Sequence, residues 1–283
     1  DLDKVGMPPD MLKRFRRLIH LPHGLLLVTG PTGSGKTTTL YGALQELNEI
    51  GKKVITCEDP VEYRIPRINQ VKVNAKIDLD FARVLRAALR QDPDIIRVGE
   101  IRDAETAEIA LRAAMTGHFV LSTLHTNDAI SSAMRLVDMG AEGFLTASSL
   151  RAVMAQRLVR RLCENCSKDY EPTSREKIWL DEKLRGKNLE IKLKSAKGCH
   201  YCNNSGYRGR IGVFELLVMN DEMNNALRKE DSYEFIKEAK RSSGYEPLVI
   251  AALKYAASGI TSLSEVFRVA EQIDESADYQ QVG

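Results

Sequence analysis

Through the first 160 residues, short apolar or β-branched runs alternate with segments whose apolar positions recur at helical spacing. The runs at 25–29, 53–58, 95–99 and 119–122 have the length and composition of buried strands. Between them, Leu40, Ala43, Leu44 and Leu47 share one helical face, Phe81, Leu85 and Leu89 share another, and 106–115 continues the pattern. Strands alternating with helices predict an α/β fold with a parallel sheet covered on both faces. In such a sheet ligands bind beyond the carboxyl ends of the strands, so the residues just after each run carry most of the information about chemistry.

Beyond residue 206 the pattern changes. A strand is predicted at 210–219, followed by helices at 220–228, 233–241, 247–258 and 263–269. Ser262 and Glu265 stand at capping-box spacing ahead of the last apolar run. The stretch 274–283 is polar enough to be expected outside the packed core, as a disordered end. These shifts divide the chain into 1–160, 161–206 and 207–283: an α/β core, a small module, and a mainly helical end.

Composition narrows the class. The chain of 283 residues suffices for about two domains, and 43% hydrophobic against 28% charged content is ordinary for a globular protein. A net charge of +2 and 6% aromatic residues argue against an extended nucleic-acid groove, which needs basic residues and stacking rings. No apolar run reaches membrane-spanning length, and no secretory leader opens the chain. The first residue is Asp1 rather than Met, so the sequence reads as a piece of a longer protein.

The loop after the first run carries the strongest local signal. Gly30, Pro31, Thr32, Gly33, Ser34, Gly35, Lys36 and Thr37 fill all eight positions of the phosphate-binding loop, between a strand and a helix as the motif requires. Its glycines let successive N–H groups turn toward one phosphate, and the following helix adds its positive end. Lys36 can reach the terminal phosphates of a nucleoside triphosphate, Thr37 offers a hydroxyl to Mg²⁺, and Thr38 completes the candidate contacts. A full set of eight positions with correct flanks outweighs an ordinary Gly-rich turn. The other strand ends add Glu58-Asp59-Pro60-Val61-Glu62, Glu100-Ile101-Arg102-Asp103 and His125-Thr126. Phosphoryl transfer to water needs a group that orients the water and a sensor of the terminal phosphate. Glu62, Glu100 and His125 are the candidates for those tasks.

Cysteine spacing gives a second signal. Cys163-x₂-Cys166 and Cys199-x₂-Cys202, 32 residues apart, suit a closed tetrahedral Zn²⁺ site with an inserted helix or hairpin. Disulfides are the alternative, disfavoured because a cytosolic ATP enzyme keeps its thiols reduced. Arg160, Arg161, Lys197 and Arg208 are expected to offset the thiolate charge, His200 to be a bystander, and Cys57 to be a small buried apolar residue.

The blocks GPTGSGKT (30–37), EDPVEY (58–63), RQDPDIIRVGEIRD (90–103) and GHFVLSTLHTNDA (117–129) resemble the secretion ATPases of type II secretion and type IV pilus assembly. The resemblance continues through QRLVRRLC (156–163), the Cys pairs and GRIGVFELL (209–217). It implies a RecA-like P-loop ATPase core with a tetracysteine zinc insert and a small helical C-terminal subdomain. It also implies Mg²⁺-dependent ATP hydrolysis that powers assembly of a pilus or pseudopilus. Carried over by motif, Lys36 and Thr37 hold phosphates and Mg²⁺, Glu62 is the Asp-box glutamate, Glu100 the Walker B acid, and His125 the γ-phosphate reporter. Gly99 stands where many P-loop enzymes carry a Walker B Asp, a trait the family shares. Arg83, Arg86 and Arg90 fall on one helical face. By resemblance Arg86 and Arg90 are the pair to act on a neighbouring subunit's nucleotide, the alternative being a solvated basic face. The implied assembly is a homohexamer on the cytoplasmic face of the bacterial inner membrane, working with platform and accessory proteins and without nucleic acid. Two other classes compete: a DNA-transport translocase with a similar core, and an adaptor that binds ATP without turning it over.

Overall fold

The computed structural model describes residues 1–77 and 80–279. In chain order the elements are α1 (Pro9–Ile19), β1 (Gly24–Thr29), α2 (Lys36–Leu47), β2 (Val54–Glu58), β3 (Asn69–Lys72), α3 (Phe81–Leu89), β4 (Ile95–Val98), α4 (Ala104–Met115), β5 (Phe119–Leu124), α5 (Ala129–Asp138) and α6 (Gly143–Ser149). They continue as β6 (Leu150–Leu162), β7 (Lys168–Asp169), α7 (Ser174–Lys183), β8 (Lys194–Ser195), β9 (Tyr207–Val218), α8 (Asp221–Arg228), α9 (Ser232–Arg241), α10 (Leu248–Ala257) and α11 (Leu263–Tyr279).

The main sheet has the strand order β3-β2-β4-β5-β1-β6-β9. The pairs from β3 through β6 are parallel, with Gly24 opposite Phe119 and Val54 opposite Ile95 setting the register. Every residue of β1, β2, β4 and β5 is buried, the mark of a parallel sheet covered on both faces. β1 lies between β5 and β6, so the loop after β1 opens at the place where the strand order reverses.

By packing, the chain divides into two compact units. The first unit holds Asp1–Ala155 with Leu216–Tyr245. Helices α8 and α9 therefore belong with the α/β core, and the cause is close packing. A Cβ on Gly143, at the start of α6, would lie 2.1 Å from the Leu227 carbonyl oxygen of α8, so only glycine permits that approach. The second unit holds Gln156–Glu215 with the segment from Glu246 onward. It contains the four cysteines, the predicted inserted helix as α7, the small β7–β8 pair, and α10 and α11.

Within the second unit, α11 is anchored through Glu265, 1% exposed, which accepts hydrogen bonds from Arg160 and Arg268. Half of the capping box predicted there forms. The Ser262 hydroxyl accepts from Glu265 N at 3.3 Å, but the Glu265 carboxylate turns to the two arginines. A complete box stands instead at α7, between Thr173 and Glu176. The backbone of α11 runs through Tyr279, and 280–283 lie outside the described residues.

Arg97, a charge inside apolar β4, is buried and pairs with Glu58 at the end of β2 at 2.7 Å. Cys57 is fully buried, and burial pushes its thiol up to about 12, so it is inert packing.

Candidate functional site

Strand β1 ends at Thr29 and the backbone turns through Gly30, Gly33 and Gly35, all at positive φ, before α2 begins at Lys36. Gly33 and Gly35 lie near +81° and +90°, conformations that cost an L-residue. The Lys36 ammonium donates to the Gly30 carbonyl at 2.6 Å and stands 3.4 Å from His125 Nδ1. The Ser34 hydroxyl is buried within the loop with no hydrogen-bond partner. An orphaned buried hydroxyl is costly, and an oxygen-rich ligand seated on the loop would satisfy it. Together with the N–H-rich turn and the helix N-terminus, that orphan fits a polyphosphate.

The exit loops of β2, β4 and β5 meet this lysine. His125 Nε2 lies 2.5 Å from Glu100 Oε1, and Arg102 Nε donates to Glu100 Oε2 at 2.6 Å. Arg102 also stands 3.9 Å from Asp59 at the end of β2. A continuous chain of charged and polar groups thus runs from Lys36 through His125, Glu100 and Arg102 to Asp59. Glu100 is the sheltered member, 14% exposed, whereas half of the His125 side chain faces solvent. Arg102 and Asp59 were not among the candidates, although each lies in the same exit loop as one. Asp103, from the same loop as Glu100, caps α4 by accepting from Thr106 N at 2.7 Å.

Gly99 has a physical reason to be glycine. A Cβ there would meet the Cys57 carbonyl oxygen at 2.8 Å and the Phe81 ring at 2.9 Å. A side chain at this position would force the ring or the backbone to shift, and the acid of this loop is the next residue, Glu100. Glu62 is exposed on the loop after β2, and its N–H donates to the Tyr41 hydroxyl of α2 at 3.1 Å. Of the remaining loop residues, Pro31, Thr32 and Thr38 are exposed and Thr37 is half-buried at the start of α2.

Arg83, Arg86 and Arg90 do share one face: all three line an open cleft of about 500 Å³ with Ile55, Val71 and Val84. Arg86 also pairs with Glu105 of α4 at 2.6 Å, both side chains half-exposed.

The second site is built from sulfur. The Sγ atoms of Cys163, Cys166, Cys199 and Cys202 all lie within 4.8 Å of one another. Three of the separations are 3.8 Å (Cys163–Cys199), 3.8 Å (Cys166–Cys202) and 3.7 Å (Cys199–Cys202). A tetrahedral ion with metal–sulfur bonds of about 2.3 Å has sulfur–sulfur edges of about 3.8 Å, so the spacing fits a closed four-thiolate site. All five cysteines are free of disulfides.

Charge compensation at the cluster differs from the expectation for Arg160. That guanidinium turns to Glu265 and stacks over the Tyr207 ring at 4.0 Å. The sulfurs accept N–H bonds instead: Gly206 N and Cys199 N to Cys202 at 3.2 Å each, Gly198 N to Cys166 at 3.4 Å, and Asn165 Nδ2 to Cys199 at 3.4 Å. The Asn165 bond is the largest single influence on the Cys199 thiol, which falls to about 6.

Comparison with known proteins follows the same lines. Residues 1–268 match the family model described as "Type II/IV secretion system protein". The type II secretion system ATPase E of Vibrio cholerae is 48% identical over 272 residues, covering 96% of this chain and 53% of that protein. The type IV pilus assembly ATPase PilB of Thermus thermophilus is 46% identical over 269 residues, covering 94% of this chain and 30% of that protein. The chain thus spans about half the length of its secretion relative. Among solved structures, the pilus retraction motor PilT with bound ADP superposes with a TM-score of 0.69 at 31% identity, over 95% of this chain and 66% of that one. A mostly parallel α/β core, a four-cysteine cluster and these relatives lead to one assignment: the chain belongs to the type II/IV secretion system protein family.

Proposed function

We propose that this chain is the ATPase region of a motor that assembles a type II secretion pseudopilus or a type IV pilus. The observation that carries the reading is the chain from Lys36 through His125 and Glu100 to Arg102, which joins the phosphate loop to the exits of β4 and β5. Residues 30–38 cradle the phosphates of ATP, with Lys36 neutralising the terminal charge. Thr37 and Glu100 are the residues that would hold Mg²⁺, which when bound would supply Lewis-acid charge to the phosphates. His125, touching both Lys36 and Glu100, reports the state of the terminal phosphate to the rest of the sheet edge. Glu62 orients the attacking water.

The tetracysteine cluster holds one structural Zn²⁺ that ties 163–166 to 199–202. With all four positions taken by sulfur, it leaves no open place for substrate. In the complete protein the chain is one subunit of a homohexamer in which Arg86 and Arg90 act on the nucleotide of a neighbour. Platform and accessory proteins attach it to the inner-membrane face; among the described residues no helix is long and apolar enough to cross a membrane. The test is Lys36→Ala. Titration with a fluorescent ATP analogue should show binding weakened by about a hundredfold, in line with the loss of a desolvated phosphate contact. Unchanged affinity would remove the phosphate loop from the account.

A further inference from the structure

A buried polar network lies beside the candidate site without belonging to it. Its centre is the Glu58 carboxylate, 2% exposed. Oε1 accepts from Arg97 Nη1 at 2.7 Å and from the Tyr41 hydroxyl. Oε2 accepts from Thr56 Oγ1 at 2.6 Å and Gln70 Nε2 at 3.1 Å. Four donors converge on one carboxylate. Burial, with the Glu58 hydrogen bond behind it, pushes the Tyr41 phenol above its ordinary value and keeps it a donor.

The outer ends of the network all go to one loop. While its O–H donates to Glu58, the Tyr41 oxygen accepts from Glu62 N at 3.1 Å. Gln70 Nε2 donates to Tyr63 O at 3.0 Å, and Gln70 Oε1 accepts from Ile65 N at 2.8 Å. The Tyr63 ring packs edge-on against Tyr41, centroids 4.4 Å apart. Three successive anchor points on 62–65 thus depend on side chains that Glu58 orders.

Stability alone does not account for the arrangement. Apolar residues of similar volume often replace a buried ion pair at no loss or with a gain. What they cannot supply is hydrogen bonds to the backbone of an exposed loop. Tyr41 also lies in α2 five residues beyond Lys36, about 7.5 Å along the same helix. One rigid element carries both the phosphate lysine and the anchor for Glu62.

We propose that Tyr41, Glu58, Gln70 and Arg97 are positioning residues that hold the Glu62 loop in register with the phosphate loop. The proposal rests on the reading that Glu62 takes part in ATP turnover. Tyr41→Phe deletes the one oxygen that links Glu58 to Glu62 N and leaves the ring packing intact. In the purified chain, amide exchange across 59–68 should then accelerate by about tenfold without nucleotide, as an anchored loop loosens. The kcat for ATP should fall about tenfold while KM moves less than about twofold, since a misplaced water-orienting group impairs chemistry rather than binding.

In a Glu62→Gln background the same Tyr41→Phe change should cost nothing further, because the group it positions is gone. Gln70→Met, which removes two other anchors, should reproduce the pattern and stands in if Tyr41→Phe does not fold. Unchanged exchange in the loop overturns the proposal, as does a loss of kcat that persists undiminished in the Glu62→Gln background. If Glu62→Gln alone releases phosphate at the full rate, it is the role of Glu62 that fails, and the exchange measurement still judges the tether.

Discussion

At the scale of single residues, steric room decides what the site can contain. Gly99 leaves no space for a side chain between the Cys57 carbonyl and the Phe81 ring. Gly99→Ala should therefore destabilise the chain by about 1–3 kcal/mol, the range for overpacking a filled core, read from urea unfolding. A wild-type transition would show that the ring moves aside freely. Glu265 offers a test with a defined direction. Burial alone would raise its carboxyl, but hydrogen bonds from Arg268 and Arg160 outweigh that and bring it to about 2. A depressed folded value contributes stability that is present above the ordinary value of 4.5 and is lost as pH falls toward 2. Glu265→Gln should thus lower Tm clearly at pH 6, and the gap to the wild type should close between about pH 4.5 and 2. Any loss of bound metal in acid would be common to both proteins, so the difference between them isolates Glu265. A gap that stays constant with pH would contradict the assignment.

The same scale explains what was legible beforehand. Lys36, Glu100 and His125 follow recognisable strands, and the parallel sheet delivers such residues to one edge, so their convergence could be read from order alone. Arg160 could not be read that way. Its neighbour in sequence is the cysteine cluster, but its partner Glu265 is 105 residues away and only the folded second unit brings them together. Arg97 was opaque for the same reason, its charge being answered by Glu58 from a different strand.

Among the elements, those with a strong period and clear punctuation were readable, and the rest were set by tertiary packing. The four early runs became β1, β2, β4 and β5 with ends shifted by a residue or two. β5 reaches Leu124 because Ser122 and Thr123 give their hydroxyls to Val98 O and Gly99 O, which keeps polar residues inside a strand. The 13-residue β6 mixes apolar, Arg and Gln positions and is a strand because β1 pairs with its start. Capping gives a quantitative check at this scale. Thr173 accepts from Glu176 N at 3.2 Å while Glu176 Oε1 accepts from Thr173 N at 2.8 Å. Thr173→Ala should cost about 1 kcal/mol, measured as a shift in unfolding of the second unit. No shift would mean that α7 is fixed by Trp179 packing on Phe267 instead.

For the whole molecule, the two units have different supports. The first is a large parallel core, and the second contains the sulfur cluster and the Glu265 ion pairs. Removing metal with a strong chelator should release one Zn²⁺ per chain and increase proteolysis within 163–202, while the first unit keeps its nucleotide affinity. A chain that is metal-free as purified and yet protected there would refute a structural ion. The proposed assembly can be tested at the arginine face that lines the cleft beside α3. In the complete protein, mixing Glu100→Gln subunits with Arg86→Ala, Arg90→Ala subunits should restore part of the ATPase activity, because some interfaces pair an intact arginine set with an intact Glu100. Strictly additive activities would contradict a shared site.

The proposed function puts phosphoryl transfer at the sheet edge where Lys36, His125 and Glu100 meet. Its most direct measurement is nucleotide binding and phosphate release recorded together on the wild type and Glu100→Gln. Removing one charge from the sheltered carboxylate should leave ATP affinity within about threefold and reduce phosphate release by about a hundredfold or more, the scale of losing a group that acts in the transition state. Undiminished phosphate release from Glu100→Gln would contradict the account.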